Sequence, residues 1–125
     1  EVFHDKVTLR RIFLIESDNS TGESIKKQLE AGYNVDVFST GKEALEHISE
    51  TSSPDLVLLD IRQSDTDEAE LVSKIREKVP GVPVIAQIAD VMEKDRGKCL
   101  DVGCDDYVNH SVSPEQLLSK VKSYI

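Results

Sequence analysis

The sequence predicts a doubly wound α/β domain, a five-stranded parallel sheet in the order 2-1-3-4-5 with five helices on its two faces. Three observations carry that prediction. Short apolar runs at 12–15, 56–59 and 82–86 are continuous rather than alternating, as in strands buried on both faces. Between them lie segments with apolar residues at helical spacing, opened by hydroxyls or acids and closed near glycine or proline. A chain of 125 residues is long enough for one such domain with a real hydrophobic core.

Taken in order, residues 1–10 show no clean periodicity and read as a tail or linker, which leaves 11–125 as the domain. The first strand, 12–15, runs into Glu16. Ser20 and Glu23 have the spacing of a capping box, predicting a helix opened by Ser20, with Ile25 and Leu29 inward and Gly32 as its stop. Val35, Val37 and Phe38 supply the second strand. Thr40 and Glu43 repeat the capping spacing and open a helix that buries Ala44, Leu45 and Ile48. The central strand, 55–60, begins after Pro54 and ends in Asp60. A polar stretch over 63–70 leads into a helix burying Val72, Ile75 and Val79, broken by Pro80 and Gly81. The fourth strand is expected at 82–86. Asp90 and Glu93 can cap a helix running to about 102, Gly103 ends it, and 106–108 give the fifth strand. Ser113, Pro114 and Gln116 mark the start of the last helix, which buries Leu117, Leu118 and Val121.

Strands alternating with helices imply right-handed crossovers and a switch point between the first and third strands. Those two strands run out at Glu16 and Asp60. Ligands of open parallel sheets sit beyond the carboxyl ends of the strands, so two carboxylates are expected to share one crevice. Adjacent carboxylates repel unless a cation neutralises them, and a hard divalent cation such as Mg²⁺ suits oxygen ligands. Such a cation also lets a phosphoryl group approach, which points to metal-assisted phosphoryl transfer onto an aspartate.

Composition narrows the alternatives. Acids outnumber bases 24 to 15, and a net charge of −9 disfavours phosphate backbones and anionic lipid surfaces. Nucleic acid and direct membrane contact are therefore not expected of this domain. Cys99 and Cys104 fit neither a zinc spacing nor a small disulfide framework, and read as thiols in a reducing compartment. His4 falls in the tail and His47 among polar helix positions. No apolar run reaches the length of a membrane span and no signal peptide is visible. The chain starts at Glu1 rather than Met, so a segment of a longer protein is expected.

These stretches resemble a receiver domain of the two-component response-regulator family, with its flavodoxin/CheY-like fold, over nearly all of 10–125. The resemblance is carried by Arg-Ile-Phe-Leu-Ile-Glu (11–16), Pro-Asp-Leu-Val-Leu-Leu-Asp (54–60), Pro-Val-Ile-Ala-Gln (83–87), Gly-Cys-Asp-Asp-Tyr-Val (103–108) and Ser-Pro-Glu-Gln-Leu-Leu (113–118). Fragments around 83–118 are most similar to receivers appended to hybrid sensor histidine kinases. The resemblance implies that Asp60 is the phosphoacceptor, taking a phosphoryl group from a phosphohistidine. It implies weak Mg²⁺ binding by Glu16, Asp60 and the backbone carbonyl of Arg62, with Asp18 as a further candidate. The partner it implies is a histidine kinase or histidine phosphotransfer domain, with a homodimer as a candidate assembly. The domain would be regulatory rather than an enzyme. A cytoplasmic location is implied, with tethering to a membrane sensor kinase as a candidate arrangement.

Several positions depart from the family pattern. Ser17 stands where a second acid follows Glu16. Ile88 replaces the hydroxyl after the fourth strand, and His110 replaces the lysine after the fifth, with Ser111 in place of a proline. Ser64 and Glu68 replace a proline and a glycine, while Asp67 and the switch aromatic Tyr107 match. An imidazole with an unperturbed pKa of about 6.5 is mostly neutral where lysine is charged. A lost hydrogen bond to a charged group is worth about 1.5–3 kcal/mol. The implied function is a phosphoacceptor of reduced efficiency.

Other readings compete with it. A pseudo-receiver would keep the fold as a protein-interaction module without phosphoryl chemistry. A flavin carrier could share the strand order, with the hydroxyl-rich stretch 17–24 as a phosphate loop. Against it stand the acids Glu16, Asp18 and Glu23, the absence of tryptophan and the scarcity of other rings. The acids at 65–70 lack the glycine and terminal glutamate of a calcium loop, and a helix dipole accounts for them better. No nucleophile elbow supports a serine hydrolase.

Overall fold

The computed structural model describes residues 9–48, 53–60, 68–88, 103–109 and 112–125. Along them run β1 (Arg11–Ile15), α1 (Asn19–Leu29), β2 (Asn34–Phe38), α2 (Gly41–His47), β3 (Leu56–Asp60), α3 (Glu68–Lys78), β4 (Val84–Ile88), β5 (Asp106–Asn109) and α4 (Pro114–Lys122). The helix expected over 90–102 lies outside the described residues. All strand pairs are parallel, and their order is β2-β1-β3-β4-β5, as the sequence predicts.

The apolar runs are continuous because each strand feeds two cores. Phe13, Ile15, Val57, Leu59, Val84, Ala86 and Ile88 face a layer closed by Ala44 of α2 and by Leu71, Val72 and Ile75 of α3. Ile12, Leu14, Leu56, Leu58, Ile85 and Val108 face the other layer, closed by Ile25 and Leu29 of α1 and Leu117 and Val121 of α4. Each fully buried branched side chain is worth about 1.5–3 kcal/mol, so the two-sided runs fix the sheet more firmly than any single cap.

Helix starts follow local chemistry. Thr40 caps α2, its hydroxyl accepting the Glu43 N–H at 3.2 Å. Ser113 caps α4 with Pro114 in the first turn, as expected, and also forms a reciprocal box with Gln116. Two expectations are corrected. Asp18, not Ser20, caps α1, since Asp18 Oδ1 accepts the Ser20 N–H at 3.0 Å and the helix begins two residues before the expected start. The same helix closes at Glu30, which donates to the Lys26 carbonyl, so Gly32 belongs to the following turn.

The fourth strand is also displaced, spanning Val84–Ile88 rather than 82–86. Val82 is buried in the α2/α3 layer without being strand, while Pro83 only accepts, its carbonyl taking the Val57 N–H at 3.0 Å. The shift brings Gln87 and Ile88 into the sheet. After α3, Gly81 takes φ +77, a conformation that a side chain would strain.

Candidate functional site

The site is built from the carboxyl ends of the two central strands. In the β1–β3 register Ile15 is opposite Leu59, and one further step places Glu16 beside Asp60. Both carboxylates are nearly inaccessible, Glu16 at 1% and Asp60 at 3% exposure. Glu16 continues β1 through its N–H, which donates to the Phe38 carbonyl at 2.9 Å, and its Oε2 accepts the Asp18 N–H at 3.2 Å. Helix α1 presses close above it: a Cβ on Gly22 would lie 3.8 Å from Glu16 Cγ and 3.1 Å from Val37 Cγ1.

Two like charges buried side by side are costly unless a cation joins them, and an all-oxygen pair fits a hard divalent ion. Glu16 and Asp60 are the residues able to hold one. Among the described residues no third histidine, cysteine or acid completes a cluster with them. Asp18 has both oxygens engaged at the start of α1, Oδ1 with the Ser20 N–H and Oδ2 with the Thr21 hydroxyl at 2.9 Å. Ser17 is exposed and brings no charge. That capped start also leaves a flavin phosphate facing a carboxylate rather than open N–H groups.

The flanking positions fall on different faces. Ile88, the last residue of β4, is 1% exposed and packs in the α2/α3 layer. Tyr107 is half-buried against that same layer. Gln87 escaped the sequence reading, although a polar residue between Ala86 and Ile88 was its visible signal. It pairs laterally with Asp60, is 3% exposed, and its Nε2 meets no hydrogen-bond partner among the described residues. A cleft of about 310 Å³ between α1 and α4 is lined in part by Gln87, Ser20, Thr21, Ser24 and Asn109. His110 and Arg62 lie outside the described residues, as do Ser64, Asp67 and Ser111.

Two polar networks anchor the strand that ends near the site. Arg76 of α3 donates from Nη1 to the Gly103 carbonyl and from Nη2 to Asp105, both at 2.6 Å; Asp105 also accepts the Val84 N–H at 2.8 Å. Asp106 at the start of β5 accepts from Lys120 Nζ at 3.2 Å and the Tyr124 hydroxyl at 3.0 Å. Burial alone would push the Asp106 carboxyl up. The Tyr107 N–H, Lys120 and Tyr124 together outweigh it and hold the group below its ordinary range.

Comparison with known proteins agrees with this fold. A family model described as "Response regulator receiver domain" matches residues 12–122. The chain is 35% identical over 115 residues to the transcriptional regulatory protein CssR of Bacillus subtilis, covering 91% of this chain and 50% of that protein. It is 30% identical over 124 residues to the hybrid signal transduction histidine kinase L of Dictyostelium discoideum, covering 93% of this chain and 7% of the kinase. The chain thus spans at most about half the length of these relatives. Among solved structures it resembles the receiver domain of the sensor histidine kinase PA1611 from Pseudomonas aeruginosa PAO1, with a TM-score of 0.80 and 27% identity. That match covers 94% of this chain and 98% of the other, whose active-site cleft coordinates a magnesium ion.

Proposed function

Because the chain belongs to the response regulator receiver domain family of two-component signalling, we propose that it accepts a phosphoryl group on Asp60 from a phosphohistidine, with an efficiency lowered by its incomplete site. The observation that carries this reading is the buried Asp60 carboxylate, ending the central strand beside Glu16. In the transfer, an Asp60 oxygen forms a bond to phosphorus as the bond from phosphorus to the histidine nitrogen breaks. The electron pair returns to the imidazole, which takes up a proton. Glu16 and Asp60 would hold Mg²⁺, with the Arg62 carbonyl as a further ligand. When bound, that ion offsets the negative charge of both partners.

Ser17, Ile88 and His110 explain the lowered efficiency. The first withholds an anionic ligand, the second offers no donor, and the third is an imidazole where the family has a permanently charged lysine. The donor would be a histidine kinase or histidine phosphotransfer domain, and this domain acts as a regulated acceptor rather than an enzyme. No described helix is long and apolar enough to cross a membrane, and a cytoplasmic site of action suits such a donor.

The test is intact mass after incubation with Mg²⁺ and acetyl phosphate. One phosphoryl adduct is expected, and it disappears in Asp60→Asn. An adduct that persists in that variant moves the acceptor elsewhere. No adduct in the unaltered protein, with the fold intact, favours the second reading, an interaction module that works without phosphorylation. The buried Ile88 and the cap-bound Asp18 are what that reading has in its favour.

A further inference from the structure

We propose that Gln87 supplies the neutral hydrogen-bond donor to a phosphoryl group on Asp60, a role for which Ile88 has no polar atom. The inference rests on the phosphoacceptor reading and adds to it a residue that the family resemblance does not assign.

Sheet geometry separates the two candidates. Side chains alternate across a strand, and laterally paired residues of a parallel sheet share a face. Leu58 and Ile85 belong to the α1/α4 layer, so Asp60 and Gln87, two residues further on each strand, fall on that side. Ile88 falls on the other, in contact with the α2/α3 layer. Gln87 is therefore the polar side chain of β4 that shares a face with Asp60. Neighbouring strands lie about 4.8 Å apart, within the span of a glutamine side chain.

Burial gives the second argument. Gln87 is 3% exposed beside a largely aliphatic layer, and its Nε2 has no partner among the described residues. A buried unpaired donor costs about 1–3 kcal/mol, and such groups in native proteins call for an explanation. Leucine would fill the same space without that cost. A phosphoryl oxygen at Asp60 would satisfy the donor, and a fixed neutral donor facing developing negative charge is what phosphoryl transfer uses.

The test measures affinity for beryllofluoride, a phosphoryl mimic, in the presence of Mg²⁺. Gln87→Leu should bind it about tenfold more weakly, the usual loss for a hydrogen bond to a charged group. The same variant should melt no lower than the parent, because it removes a buried unpaired donor. In the parent, the Gln87 side-chain amide resonance, identified by its absence from the variant, should move on adding beryllofluoride. Equal affinity in both proteins, or an unmoved resonance, overturns the role of Gln87 while leaving Asp60 as acceptor. Failure of the parent to bind the mimic or gain a phosphoryl group overturns the phosphoacceptor reading and this inference with it.

Discussion

At the scale of single residues, the proposed metal site is tested most directly at position 17. Glu16 and Asp60 are buried together, while Asp18 is held by the Ser20 N–H and the Thr21 hydroxyl. A carboxylate at Ser17 would join the first two without disturbing that cap. Ser17→Asp is therefore expected to tighten Mg²⁺ binding by about tenfold, read by titration calorimetry. Unchanged affinity would place the metal elsewhere. Glu16 and Asp60 were legible in the sequence because an acid ending an apolar run has no packing reason to be there. Asp18 as the cap was less so: several acids and hydroxyls over 17–24 can each cap a helix, and only geometry selects one. Gln87 was hidden for the opposite reason, since a polar residue reads as the end of a strand when it is in fact inside one.

At the scale of elements, two side chains fasten the sheet's last strands to helices. Arg76 joins α3 to Gly103 and Asp105 through a planar fork, whose two separated donors a single ammonium does not reproduce. Arg76→Lys should lower unfolding stability by about 1–2 kcal/mol in urea titration, the exposed ion pair adding little to the loss of the carbonyl bond. Equal stability would mean the fork carries no net energy. Asp106 ties the start of β5 to Lys120 and Tyr124 near the end of the chain. Its carboxyl sits below the ordinary range when folded, so its stabilisation is complete above the unfolded carboxyl's pKa of about 3.9. It is lost as pH falls through the folded value. Thermal melts from pH 6 down to about pH 3 should show a shallower acid loss in Asp106→Asn than in the parent. Parallel curves would remove Asp106 from that limb. Tyr124 runs the other way, raised by burial and by Asp106, and keeps its donor hydroxyl until strongly alkaline pH. The strand types were legible from apolar runs, whereas the bounds of β4 were not, because the buried Val82 prolongs the run without being strand and Gln87 ends it although it lies in the sheet.

For the whole molecule, the strand order was the most legible feature, because continuous apolar runs admit only a sheet covered on both faces. Charge is the global term that the fold does not cancel: 24 acids against 15 bases leave −9. Self-repulsion of that size should be screened by salt, so the melting temperature is expected to rise with NaCl. MgCl₂ at matched ionic strength should raise it further, by linkage to the folded state, and chelation should reverse the extra gain. Asp60→Asn should abolish the difference between the two salts. If it does not, the ion's effect is general screening.

The outer strands carry a consequence for assembly. β2 and β5 are the rims of the sheet, each no longer than five residues, and each holds an aspartate in an ion pair: Asp36 with Arg11, Asp106 with Lys120. A second copy extending the sheet would have to fit its own side chains over these pairs on a very short ladder. Ribbon growth and fibril formation are thereby discouraged at both borders, and the helical faces remain the surfaces through which two copies can meet without lengthening the sheet.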